Sequence, residues 1–157
     1  MYLENGNNFS ITGGNVGIGT TSPTAQLELS TDSAKKPSTN AWTIASDARI
    51  KTNIRPYSDG LSVITRIRPV WFQYNGKAGF AKDGKDHIGV IAQEIAKVAP
   101  YTVSTYQAKL NPGDPAETEL LDFNSHALTF ALINAVKELK TEVDSLKEQI
   151  KVLKKEK

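Results

Sequence analysis

Apolar and polar positions change their period along this chain, and each change predicts an element. Phe9-Ser10-Ile11-Thr12 and Gln26-Leu27-Glu28-Leu29 alternate apolar with polar residues, the mark of short half-buried strands. Between them Gly13 to Pro23 is a Gly/Thr/Ser-rich stretch that reads as tight turns. Residues 31–41 read as an exposed linker, and Trp42-Thr43-Ile44 restores a strand pattern. Leu61, Ile64 and Ile67 then keep helical spacing behind a Ser58-Asp59 cap, and Arg68-Pro69 ends that helix. Val70 to Tyr74 is an aromatic-rich strand closed by an Asn75-Gly76 turn. His87 to Ile91 predicts a strand, Ala92 to Ala99 a short helix stopped before Pro100, and Tyr101 to Tyr106 another strand. Glu119 to Phe123 is a last strand before a helix that starts near Ser125.

That helix has the clearest period in the chain. Thr129, Leu132, Val136, Leu139, Val143, Leu146, Ile150 and Leu153 step alternately by 3 and 4, a heptad seam with leucine at every d position. The e positions Lys140, Lys147 and Lys154 can meet Glu142 and Glu156 at g. A seam narrowed to a and d buries itself against other helices of its kind, so the chain is expected to oligomerise. Phe130 and Ile133 widen the early face, and the pattern permits two or three strands. The predicted class is α+β: a short β stalk segment (1–45), a small mixed α/β body (46–124) and a long C-terminal coiled-coil helix (125–157).

Composition narrows the functions. The 157 residues are 39% hydrophobic, enough for one modest core. There are no cysteines and only two histidines, His87 and His126, so no metal site and no cofactor is expected. Residues 136–157 hold seven lysines against five acids, and the remainder balances twelve against twelve. The excess of +2 therefore belongs to a solvated helix face, and no nucleic-acid partner is expected. The aromatic run beside Arg66 and Arg68 reads as a core strand rather than a base-stacking platform. No apolar run approaches the ~20 residues of a membrane span. The opening Met1 to Asn5 lacks the regions of a signal peptide and reads as an internal cut. The glycines of residues 13–19 do not cradle a phosphate, because no Gly-Lys-Ser/Thr follows them.

Candidate chemistry centres on Ser46-Asp47-Ala48-Arg49-Ile50-Lys51, where the strand-like segment hands over to the body. Serine and lysine five positions apart are the groups of a Ser-Lys dyad, in which a neutral amine takes the hydroxyl proton. A lysine does this only when burial or a neighbouring cation lowers its pKa well below about 10.4. Arg49 and a desolvating core are the available sources. A nucleophile at the end of a strand, after a small residue, is accessible to its own preceding carbonyl. His87 and Glu94 are further acid/base candidates, although a lone strand-end histidine is more often a structural hydrogen-bonder.

Several ordered stretches resemble one family. Ser46 to Lys51 is similar to the Ser-Asp-x-Arg-Leu-Lys signature of the C-terminal intramolecular chaperone domain of phage tailspikes, tail fibres and endosialidases, with Ile50 in place of leucine. Leu61 to Tyr74 resembles its helix, proline and aromatic-strand block. His87 to Val98 resembles its Gly-x-Ile-Ala-Gln-Glu segment, and Leu121 to Ile150 its closing helix. Asn15 to Leu29 is similar to repeats of fibre stalks. The resemblance implies a homotrimer whose seam is Leu132, Val136, Leu139, Val143, Leu146, Ile150 and Leu153. It implies a chaperone that registers the upstream stalk of its own chain and then cuts itself off between Ala45 and Ser46. Ser46 is the implied nucleophile and Lys51 the base, with Asp47 and Arg49 in positioning roles. The implied setting is a virion tail fibre or tailspike, or a bacterial surface fibre. The competing expectation is a non-cleaving trimerisation cap on an adhesive fibre.

Overall fold

A computed structural model of the chain describes residues 13–23, 25–30, 35 and 44–155. The chain groups into two compact units, Met1–Thr52 and Asn53–Lys157. The expected strand at Phe9 to Thr12, most of the linker, and Trp42 and Thr43 lie outside the described residues.

In the first unit, β1 (Val16–Ile18) and β2 (Leu27–Leu29) pair in parallel, with Val16 opposite Leu27 and Ile18 opposite Leu29. The stretch predicted as turns thus contains a strand. Val16 and Ile18 flank Gly17 with the two-residue period of a strand, and the surrounding glycines hide it. Asn15 Nδ2 donates to the Pro23 carbonyl at 2.9 Å and ties the loop that connects the strands. Gly19 holds φ +79, a left-handed conformation that favours glycine. Two strands of three residues build no core of their own, and Ile18 and Leu27 stay about half exposed.

The second unit holds α1 (Leu61–Ile64), β3 (Val70–Phe72), β4 (His87–Gly89), α2 (Ala92–Ile95), β5 (Val103–Ala108), β6 (Thr118–Phe123) and α3 (His126–Lys155). β3 pairs antiparallel with β4, and β5 with β6. Most elements stand where the apolar pattern put them. Tyr101 is an exception: Pro100–Thr102 form a 3-10 turn and the strand starts after it. The core is Val63, Ile95 and Ala99, surrounded by Ile67, Val90, Val98, Val103, Phe123 and Leu128. It is small because the helices that supply it run for one turn each.

Long-range polar contacts correct the cap predicted for α1. Gly60 is its N-cap and neither Ser58 nor Asp59 caps it with a side chain. Instead Glu138 of α3 accepts the Leu61 N–H at 2.8 Å. One turn earlier on α3, Asn134 Nδ2 donates to the carbonyls of Tyr57 at 2.8 Å and Asp59 at 3.0 Å. Beside these anchors Ala131 and Ala135 are buried, small enough for α1 to pack closely on α3. A Glu138→Ala chain is expected to lose about 1 kcal/mol and melt several degrees lower, as read by circular dichroism. Unchanged melting would mean that the cap contributes nothing.

The opposite side of α3 is uncovered. The seven seam residues Leu132 to Leu153 are each between 44% and 64% exposed, and Phe130 and Ile133 are about half exposed. Two of the three lysines expected to reach across to other helices, Lys140 and Lys147, pair within their own. Lys140 and Lys147 both meet Asp144, and Lys151 meets Glu148. Charge and apolar stripe therefore lie on separate faces of one amphipathic helix.

Candidate functional site

The first unit brings Ser46 and Lys51 together through one tight turn. Five residues fully extended span about 17 Å, so the pair meets only if the chain folds back. Asp47 supplies the fold-back. It stands at φ −64 and ψ 136, and its Oδ1 accepts the Arg49 N–H at 2.8 Å, capping a 3-10 turn over Ala48–Ile50. Ile50 N–H donates to the Asp47 carbonyl and Lys51 N–H to that of Ala48, each at 3.2 Å. Lys51 Nζ then donates to Ser46 Oγ at 2.6 Å.

Asp47 and Arg49 are also joined through their side chains. Arg49 Nε meets Oδ1 at 3.0 Å and Nη2 meets Oδ2 at 2.7 Å, a fork that locks the capping carboxylate. The Arg49 side chain, followed by its backbone N–H, holds the Asp47 carboxyl below the usual aspartate range. In return Asp47 raises Arg49. A lowered carboxyl pKa means the contribution is complete at neutral pH and fades as pH falls through the lowered value.

Ile44 to Lys51 are all exposed. Exposure leaves the Ala45–Ser46 bond open to attack, with Ile44 and Ile50 as uncovered apolar side chains on either side of it. Ile44 belongs to no strand, so the strand expected to run into Ala45-Ser46 is not formed at its described end.

His87 and Glu94 belong to the second unit, where their partners are structural groups. Arg68 grips the Glu94 carboxylate, with Nε at 3.1 Å and Nη2 at 2.5 Å, and holds its pKa below the usual range. The His87 ring stacks on Phe72 at 5.5 Å and meets the edge of Tyr74 at 5.2 Å, and its Nε2 is buried without a partner. A separate chain of hydroxyls runs from Tyr57 to Tyr101 at 2.6 Å and on to the Asp59 carboxylate. Burial, then the bond to Asp59, pushes the Tyr101 hydroxyl above its ordinary range. Sequence reasoning missed Arg68, Glu138 and Asn134. Their partners are remote in the chain, so no spacing signals them. Among the described residues no group of three His, Cys, Asp or Glu could hold a metal, and no helix is long and apolar enough to cross a membrane.

Residues 46–104 match a peptidase-family model described as chaperone of endosialidase. The likeness to the chaperone-of-endosialidase family covers this segment of the chain. No curated protein matches the chain. The family match opens on Ser46, the residue that meets Lys51, and runs through α1, β3, β4 and α2 into the start of β5. The match supports an intramolecular-chaperone role for the segment, and the family's name implies a serine-peptidase-like domain.

Proposed function

We propose that this chain is an intramolecular chaperone that trimerises through α3, holds the β stalk preceding it in register, and then cuts itself between Ala45 and Ser46. The observation that carries this reading is the 2.6 Å approach of Lys51 Nζ to Ser46 Oγ at the first residue of the family match.

The chemistry needs the proton on the other partner. With the amine neutral, Ser46 O–H donates to Lys51 and Oγ attacks the Ala45 carbonyl carbon. An Oγ–C bond forms, the C–N bond breaks, and the Ser46 nitrogen leaves as an amine carrying the proton from Lys51. Water then opens the ester, giving the Ala45 carboxylate and returning a proton to Oγ. Asp47 and Arg49 act as positioning residues by closing the turn.

Burial keeps an amine neutral near pH 7, whereas the dyad faces solvent in the single chain. Assembly has to supply that burial, and the exposed Ile44 and Ile50 are the side chains a covering copy would bury first. Cleavage gated in this way follows registration, so the stalk is released only after its chains are aligned. The released fibre, without its chaperone, is then trapped kinetically. The setting is the tail fibre or tailspike of a virion, or a comparable bacterial surface fibre.

Intact-mass spectrometry of size-separated fractions tests the reading. A fragment beginning at Ser46 is expected in the trimeric fraction and absent from monomer. A trimer that stays uncut would overturn the protease reading and leave a non-cleaving cap. Asp47→Ala is expected to slow cleavage roughly tenfold, the consequence of losing a cap, with the trimer intact. An unchanged rate would remove Asp47 from the mechanism.

A further inference from the structure

β3 and β4 form a two-stranded ladder with an apolar face on each side. Val70, Phe72, His87 and Gly89 are half-buried toward the body. On the other side Trp71 and Ile88 are direct cross-strand partners, 70% and 68% exposed. Strands that read as unbroken apolar runs are normally covered on both faces. A two-stranded sheet carrying a solvated indole is marginal alone.

The same unit holds a cavity of about 400 Å³, lined by Tyr57, Ala127, Phe130, Ile133, Asn134 and Lys137. It opens beside the seam, since Ile133 and Lys137 also border the hollow formed by Thr129, Leu132 and Val136. Its chemistry suits an indole. Phe130 and Ile133 offer an apolar wall, Lys137 a cation for the ring face, and Asn134 an amide oxygen for the N–H. Trp71 of the same chain does not fill it, because that side chain remains exposed.

On the trimer reading, which this inference rests on, we propose that Trp71 of each copy inserts into the Phe130–Ile133 cavity of the next. Ile88 packs on the rim near Lys137. The contact is head-to-tail, knob of one copy into hole of another, and such a contact closes into a ring when the copies are related by threefold rotation. The area needed points the same way. A half-exposed aliphatic side chain offers roughly 80–100 Å², so the seven seam residues supply about 600 Å² per copy, against ~800 Å² per partner in a stable interface. A buried tryptophan adds 150–250 Å². Each α3 therefore meets neighbouring helices along its seam and a neighbouring body near its start, where Phe130 and Ile133 make the apolar face too wide for a two-position seam.

The absence of cysteine allows a direct test in the full chain. Ile88→Cys and Lys137→Cys are both surface changes. Combined in one chain and treated with a short bismaleimide, they are expected to give covalent dimers and trimers on a denaturing gel. A mixture of the two single variants is expected to give dimers. Each single variant alone should give none. A chain that is trimeric by light scattering yet forms no link between copies would overturn the inference while leaving the trimer standing. A parent chain that is monomeric at all concentrations would instead remove the trimer, and the inference with it. Emission of Trp71 in a Trp42→Phe chain supplies a second readout. It is expected to be blue in the trimer and red after the seam is broken by Leu139→Glu with Leu146→Glu. Emission that stays blue in that monomer would mean that the chain's own stalk covers Trp71, which also overturns the proposal.

Discussion

A Ser46→Ala chain is expected to keep its full mass under conditions in which the parent separates at Ala45–Ser46, and Lys51→Ala is expected to do the same. The two variants remove different halves of one step. Without the hydroxyl no ester can form, and without the amine nothing takes the hydroxyl proton when the pair is covered. Groups that act as a unit lose nearly all the rate when either is removed, so the double variant should be no slower than either single one. Both should still trimerise, since neither residue lies on α3. Light scattering and intact mass on the same fractions read both properties. Cleavage surviving in Lys51→Ala would show that the 2.6 Å contact in this structure is an exposed hydrogen bond without a catalytic role.

Replacing Leu139 and Leu146 together by glutamate is expected to leave the chain monomeric and uncut. Each side chain is about half exposed in the single chain, so the change costs the second unit little. In a closed seam the same change places unpaired carboxylates among leucines, at several kcal/mol for each copy. Summed over three copies, that exceeds what most assemblies have to spare. Sedimentation gives the oligomeric state and mass spectrometry the cut. A monomer that still cleaves at the parent rate would dissociate the two events and sink the idea that assembly covers the dyad. A loss of helix signal should accompany dissociation, because an isolated amphipathic helix is marginal in water once its apolar face has no cover.

The uncovered stripe of α3 and the exposed dyad express the same economy of core. Val63, Ile95 and Ala99 are held by short elements, and α3 adds to its own body the buried Ala131 and Ala135 and the partly buried Leu128. From Phe130 onward the large apolar side chains of α3 face outward, the stripe that the proposed trimer would cover. The clamp made by Asn134 and Glu138 joins the turn at Tyr57 to Leu61 to the helix that carries the seam.

The sequence by itself determined the local features: the long helix and its heptad, the Arg68-Pro69 stop, the aromatic strand, and the hexapeptide whose order resembles a self-cleaving chaperone. These are periodicities and signatures, written by residues that act on near neighbours. Only the tertiary structure decided the rest. It put Glu138, not Asp59, at the start of α1, and joined Arg68 to Glu94. It set a parallel strand inside a glycine-rich stretch and turned residues 46–51 until an amine met a hydroxyl. Each of these depends on where a chain segment lies in space relative to a distant one, or on the sum of several weak turn contacts. Composition and spacing carry no record of such distances, so the candidate residues could be read in advance and their meeting could not.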